Sequence, residues 1–154
     1  MKMKLLGAIA AVALVAACES TPTETNTGAG SATGPRPGSQ EDLVVNVGDR
    51  VFFDFDSFSV RPDGRSTLQR QAEWLGRYGS VNVQVAGHAD ERGTREYNLA
   101  LGQRRANAAR DLLVAQGVAG ARVSTISFGK DRPIALGSNE EAWAQNRVAI
   151  TSVR

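Results

Sequence analysis

Val51, Phe53 and Phe55 alternate along the chain, with Asp54 and Asp56 between and beyond them, as in a half-buried strand. Val45 and Val47 alternate likewise before Gly48-Asp49 interrupts the run, so the same spacing predicts strand upstream as well. Pro62 suits the first turn of a helix; Leu68, Ala72, Leu75 and Tyr78 then form one stripe, and Gly79 offers a stop. Val81, Val83 and Val85 alternate with Asn82 and Gln84 in a second strand that ends at Gly87. A longer helix is expected from Thr94 or Tyr97 to Gln116, closed by Gly117, with Leu101, Ala108, Ala109 and Leu112 towards a sheet. Residues 123–128 read as a third strand, 140–145 as a short helix, and Val148, Ile150 and Ser152 as a last strand. Pro133 and Gly137 fall in an irregular stretch between them. This order predicts a two-layer α/β domain with helices on one sheet face.

The first 42 residues have a different character. Lys2 and Lys4 precede an uncharged run of small and aliphatic residues over 5–17, the pattern of a secretory signal and too short for a spanning helix of roughly 20 residues. Cys18 is the only cysteine, and Leu14-Val15-Ala16-Ala17 before it resembles the lipobox of bacterial lipoproteins, where the thiol is acylated and becomes the first residue. By the rule of that resemblance, Glu19 is compatible with passage to the outer membrane, and acylated Cys18 would insert into its lipid. Several acyl chains satisfy the need for more than one to give stable anchoring. Residues 19–41 contain no Leu, Ile, Val or aromatic residue, so residues 18–42 read as a lipidated cysteine and a flexible tether. Such a tether spans about 25–30 Å relaxed and near 80 Å stretched. Residues 43–154 remain as one domain of about 110 residues.

Charge changes the picture little. The chain carries 18 basic and 16 acidic residues, a net of +2. Loss of Lys2 and Lys4 with the leader leaves 16 of each sign. Nothing resembles the concentrated positive field of a nucleic-acid binder.

The densest chemistry lies in Gly87-His88-Ala89-Asp90-Glu91-Arg92-Gly93-Thr94-Arg95-Glu96-Tyr97-Asn98, where the second strand turns into the long helix. Asn98, Leu101 and Arg105 follow at spacings that share one helical face near its start. Asp90 and Arg105 together make a candidate receptor for a zwitterion, with Asp90 for an ammonium and Arg105, helped by the helix dipole, for a carboxylate. Equally open from spacing alone is a structural arrangement in which Asp90 caps the helix and Arg105 pairs with Asp90 or Glu91. His88, the only histidine, reads better as a structural residue bonded through its ring than as a catalyst.

Residues 51–154 closely resemble the OmpA-like peptidoglycan-binding family. The resemblance rests on Val51-Phe52-Phe53-Asp54-Phe55-Asp56, Gly87-His88-Ala89-Asp90-Glu91-Arg92-Gly93-Thr94, Glu96-Tyr97-Asn98, Leu101-Gly102-Gln103-Arg104-Arg105-Ala106-Asn107-Ala108, Ser127-Phe128-Gly129-Lys130 and Asn146-Arg147. It implies a mixed four-stranded sheet with helices packed on one face, and as ligand the meso-diaminopimelate side chain of the uncrosslinked peptidoglycan stem. Asp90 matches the residue that binds the ligand's ammonium, and Arg105 the one that binds its carboxylate. Phe55 and Asp56 match another wall of the pocket, His88 and Ala89 the loop beneath the ligand, Asn98 and Leu101 its helical flank, and Arg147 a supporting residue of the final strand. Val148 departs from the second arginine of many relatives, which removes any electrostatic role at that position. For a lipidated member, the resemblance also implies the Tol envelope system as partner, particularly its periplasmic β-propeller protein.

The rival readings are a peptidoglycan hydrolase and a purely structural periplasmic protein. Against the first, no serine or cysteine nucleophile motif is apparent, and one histidine is a poor basis for zinc, which takes three or four protein ligands. Asp56 and Asp90 would support glycoside hydrolysis only across a sugar cleft at suitable separation. No cofactor or metal is expected. A closed Asp90–Arg105 pair without an adjoining concavity would favour the structural reading.

Overall fold

The computed structural model describes residues 34–154; the expectations for the leader, Cys18 and most of the tether lie outside the described residues. The folded body begins before the expected boundary at Leu43. A helical turn, α1 (Gln40–Asp42), is capped by Ser39, whose hydroxyl accepts from Asp42 N at 3.2 Å. Asp42 in turn accepts from Trp74 Nε1 at 2.9 Å in a buried position.

Leu43–Val47 forms a π-helical turn where alternation predicted strand. Only Leu43 of this turn is buried, and Val45 is 68% exposed, so the alternating valines do not mark a sheet face. Gly48, at φ 96°, closes the turn through its N–H to Leu43 O. Strand β1 (Arg50–Phe52) is correspondingly short: it ends before Phe55, which sits 59% exposed beyond it.

The remaining elements follow the expected order. Helix α2 (Pro62–Arg77) starts with Pro62 in its first turn, where a missing N–H costs nothing, and buries Leu68, Ala72 and Leu75. Strand β2 (Val83–His88) leads to α3 (Arg95–Ala115), capped by Thr94, whose hydroxyl accepts from Tyr97 N. Gly117 and Val118 close α3 with N–H bonds to Val114 O and Leu113 O, and Val118 packs into the core with Leu113, the pairing of a Schellman stop. A 3-10 turn (Gly120–Arg122) precedes β3 (Val123–Gly129), and a loop leads to α4 (Glu140–Asn146) and β4 (Val148–Val153).

The sheet order is β1-β4-β2-β3, with β2 and β3 parallel and the other pairs antiparallel. It is a mixed sheet of four strands, α/β in class, as expected. Val51, Val83, Val85, Val123 and Ala149 meet Leu68, Leu75, Ala106, Ala109 and Leu113 from the helices in one core. The buried row of α3 is Asn98, Leu101, Gly102, Arg105, Ala106, Ala109 and Leu113, so the expected Ala108 and Leu112 are only its margin. Small residues decide this rotation. A Cβ at Gly87 would lie 1.8 Å from Gly102 O, so the α3 backbone rests directly on β2.

That approach gives a stability prediction. Gly87→Ala should cost about 3 kcal/mol or more, because a rigid backbone atom blocks the added methyl. Gly76→Ala, in α2 with nothing within 4 Å, should instead be neutral or stabilise by about 0.5–1 kcal/mol. Urea titrations of both variants check the contrast, which equal stabilities would contradict.

Candidate functional site

The site forms where three segments converge: the turn after β1, the loop from β2 to α3, and the first turns of α3. A cavity of about 220 Å³ is lined there by Phe55, Asp56, Asp90, Arg92, Gly93, Tyr97, Asn98, Leu101 and Arg105.

Arg105 organises it. Its Nε donates to Ser57 O at 2.8 Å, Nη1 to His88 O at 2.8 Å and Nη2 to Asp54 O at 3.1 Å. The guanidinium thus ties the turn over residues 54–57 to the end of β2. Asp56 in that turn adopts a left-handed conformation, φ 51°, and accepts a hydrogen bond from the Tyr97 hydroxyl across the cavity mouth. Arg105 is 0% exposed, and burial pushes its pKa down to about 10 despite the nearby Asp90 and Asp56 charges. No carboxylate forms an ion pair with it among the described residues, so the alternative of an Asp90–Arg105 or Glu91–Arg105 bridge does not hold.

Asp90 is bound differently. Its carboxylate accepts from Arg92 N at 3.1 Å, Arg92 Nε at 3.2 Å and Arg92 Nη2 at 2.7 Å, while Arg147 Nη1 stands 3.5 Å away. Burial pushes the Asp90 carboxyl up, but the bonds and charge of Arg92, with Arg147, outweigh that and hold it below the usual range. Thr94, not Asp90, caps α3. Asn98 Nδ2 bonds Arg92 O and Thr94 O, and Lys130 Nζ bonds Glu91 O and Gly93 O, so both ends of the loop are held from neighbouring elements.

Other expected residues stand elsewhere. His88 and Ala89 do not line the cavity. The His88 ring turns to Phe128 and bonds Arg132 O through Nδ1 at 3.0 Å; only its carbonyl serves the site, by receiving Arg105. Ala89 N donates to Gly129 O. Arg147 is not in the final strand but at the end of α4, where it bonds Phe53 O and Glu140 Oε1. Val148 is fully buried in β4, opposite Phe52.

Arg92, Gly93 and Tyr97 line the cavity without having been assigned roles from sequence. Arg92 lies between two aromatic rings, 4.0 Å from the Phe55 centroid and 4.1 Å from that of Trp143. Its position within the charged 87–98 segment was the available signal, but stacking against residues distant in sequence has no local signature. Among the described residues, no group of three His, Cys, Asp or Glu side chains could hold a metal ion, and no helix is long and apolar enough to cross a membrane.

Fold and site together define a known class: a sequence model of the OmpA family matches residues 52–147, and the chain belongs to that family. Its relatives there include the peptidoglycan-associated lipoprotein of Mesorhizobium japonicum, 53% identical over 95% of this chain and 89% of that protein. The protein of the same name from Agrobacterium fabrum is 61% identical over 80% of this chain and 68% of its own length. The crystal structure of the peptidoglycan-associated lipoprotein from Burkholderia pseudomallei aligns with a TM-score of 0.69 at 42% identity, covering 73% of this chain and all of that one.

The His88 environment predicts a pH dependence. Burial lowers the pKa of the ring below 6.5; the bond to Arg132 O opposes this, and the Arg132 charge adds to it. An unfolded chain therefore binds this proton at higher pH than the folded one. The stabilisation from a neutral His88 is full above about pH 6.5 and is lost as pH falls through that value towards the folded pKa. Denaturant midpoints should drop between pH 7 and 5 in the native protein and less in His88→Gln, whereas parallel profiles would exclude His88 as the source.

Proposed function

We propose that this chain is a non-catalytic outer-membrane lipoprotein, anchored through acylated Cys18. Its periplasmic domain binds the diaminopimelate side chain of uncrosslinked peptidoglycan stems and so ties membrane to wall. The observation that carries the reading is the separation of opposite charges around one cavity. Asp90 presents a carboxylate held ionised, while Arg105 presents a buried cation with three of its five N–H donors on carbonyls and no acidic partner among the described residues. Diaminopimelate carries an ammonium and a carboxylate on one carbon, matching both signs at once, and two charge-assisted contacts orient it as one could not. The names of the relatives support wall association. Within the Tol envelope system, the periplasmic β-propeller protein is the proposed partner.

Because Arg105 also holds three backbone carbonyls, altering the ligand is a cleaner test than altering that residue. Calorimetry should show the native protein binding soluble diaminopimelate stem peptide well and the lysine stem peptide, which lacks the side-chain carboxylate, poorly. Asp90→Asn should weaken binding by about 2–5 kcal/mol, the range for removing one partner of a buried charge pair. Arg105→Gln should lose discrimination between the two peptides, with circular dichroism confirming its fold. Equal native affinity for both peptides would sink the assigned recognition. Separately, intact-mass measurement should find acyl chains on the mature native protein and none on Cys18→Ser; a native protein without lipid would refute the anchor.

A further inference from the structure

Most of the bonding capacity of Asp90 is taken up before any ligand arrives. A carboxylate offers about four lone-pair positions. Three are taken by Arg92, through its backbone N–H, Nε and Nη2, and Arg147 Nη1 faces the same Oδ2 that receives Nη2. Asp90 lines the cavity but is only 5% exposed, so little of the carboxylate is open to an incoming ammonium while Arg92 stays in place. Arg147 is 7% exposed and is held through Nε by Phe53 O and through Nη2 by Glu140 Oε1, so it is fixed beside Asp90. The Arg92 side chain is about a third exposed, and it alone of the two arginines can swing towards solvent. The two aromatic rings that hold it come from separate segments, Phe55 from the turn after β1 and Trp143 from α4.

We propose that Arg92 is a built-in competitor: its guanidinium occupies Asp90 in place of the ligand's ammonium, and the ammonium enters only by displacing it. This rests on the diaminopimelate reading above. The displaced guanidinium turns to solvent, where its side chain is already about a third exposed. The backbone N–H of Arg92 keeps its bond to Asp90 throughout, so the loop stays in place while the side chain leaves. Arg92 therefore sets the threshold that a cation must exceed to hold Asp90. A singly bonding amine without a neighbouring carboxylate cannot also draw on Arg105, and fails to displace the bidentate guanidinium. Selectivity for a zwitterion thus comes partly from Arg92, which discriminates against simple amines.

The test is an inversion of the usual outcome for a site residue. Arg92→Gln keeps a planar group between Phe55 and Trp143 but removes the charge and the bidentate bond. Calorimetry of the full chain in detergent micelles should show it binding diaminopimelate stem peptide at least about threefold more tightly than the native chain, the gain expected when a minority open state becomes dominant. It should also bind the amidated peptide, whose side-chain carboxylate is neutralised, with a larger gain still. Arg92→Lys, retaining charge without the planar fork, should fall between. In an Asp90→Asn background, Arg92→Gln should give no gain. Weaker or unchanged binding by folded Arg92→Gln, beside normal native binding, overturns the competitor role and leaves the diaminopimelate reading standing. Absence of native binding overturns both.

Discussion

A buried cation in the wall of the cavity holds the site together. Arg105 reaches from α3 beneath the turn over residues 54–57 and the end of β2, and it binds a carbonyl from each side of that junction. Burying a guanidinium among neutral partners is costly, and carbonyl dipoles offset only part of that cost. The group stays charged at neutral pH because burial lowers its pKa only to about 10, and the pressing of α3 onto the sheet at Gly87 and Gly102 fixes where it emerges. The turn that carries Asp56 and the end of β2 are tied together by this one side chain. Binding chemistry and architecture are therefore not separable here: the group proposed to receive the ligand's carboxylate also sets the walls of the cavity.

Much of this was legible in the sequence, for identifiable reasons. Helix α3 follows from its alanines, its Thr94 start and its Gly117 stop, and a helix places Asn98, Leu101 and Arg105 on one face by period alone. The helix-covered side of the sheet follows from element order, but the parallel pairing of β2 with β3 does not, since β3 and β4 are also joined through a helix and run in opposite directions. Where alternation misled, at Val45 and Val47, the same spacing served a π-helical turn in which Val45 meets water while Val47 packs against the margin of the core. Position also misled at Arg147: a residue one place before a strand reads as part of it, yet it belongs to the end of α4. The partners of Arg105 were beyond reach, because backbone carbonyls have no residue identity to betray them. So was Arg92, whose environment is made by an aromatic residue 37 positions upstream and another 51 downstream.

His88 illustrates how one residue divides its duties. Its carbonyl belongs to the site and its ring to the packing around Phe128 and Arg132. A substitution there alters the ring and spares the carbonyl, so any effect on binding travels through the path of β2 rather than through lost contact. The bulge in the pairing between Gly87 and His88 lies at the same point, where the strand leaves regular register with β3 to carry its last carbonyl to Arg105.

The two ends of the sheet have opposite attachments. At one, Gln40 Oε1 accepts from Val153 N, and Val153 pairs with Val83 at the start of β2. At the other, His88 ends β2 beside the cavity. Strand β2 covers about 17–20 Å between them. A molecule held by membrane at its N-terminal segment and by wall at its cavity would carry tension lengthwise along this strand. Its ladders to β3 and β4 would then be loaded in shear, many hydrogen bonds resisting together, rather than peeled apart singly. Mechanical endurance would follow from strand direction alone, with no increase in equilibrium stability.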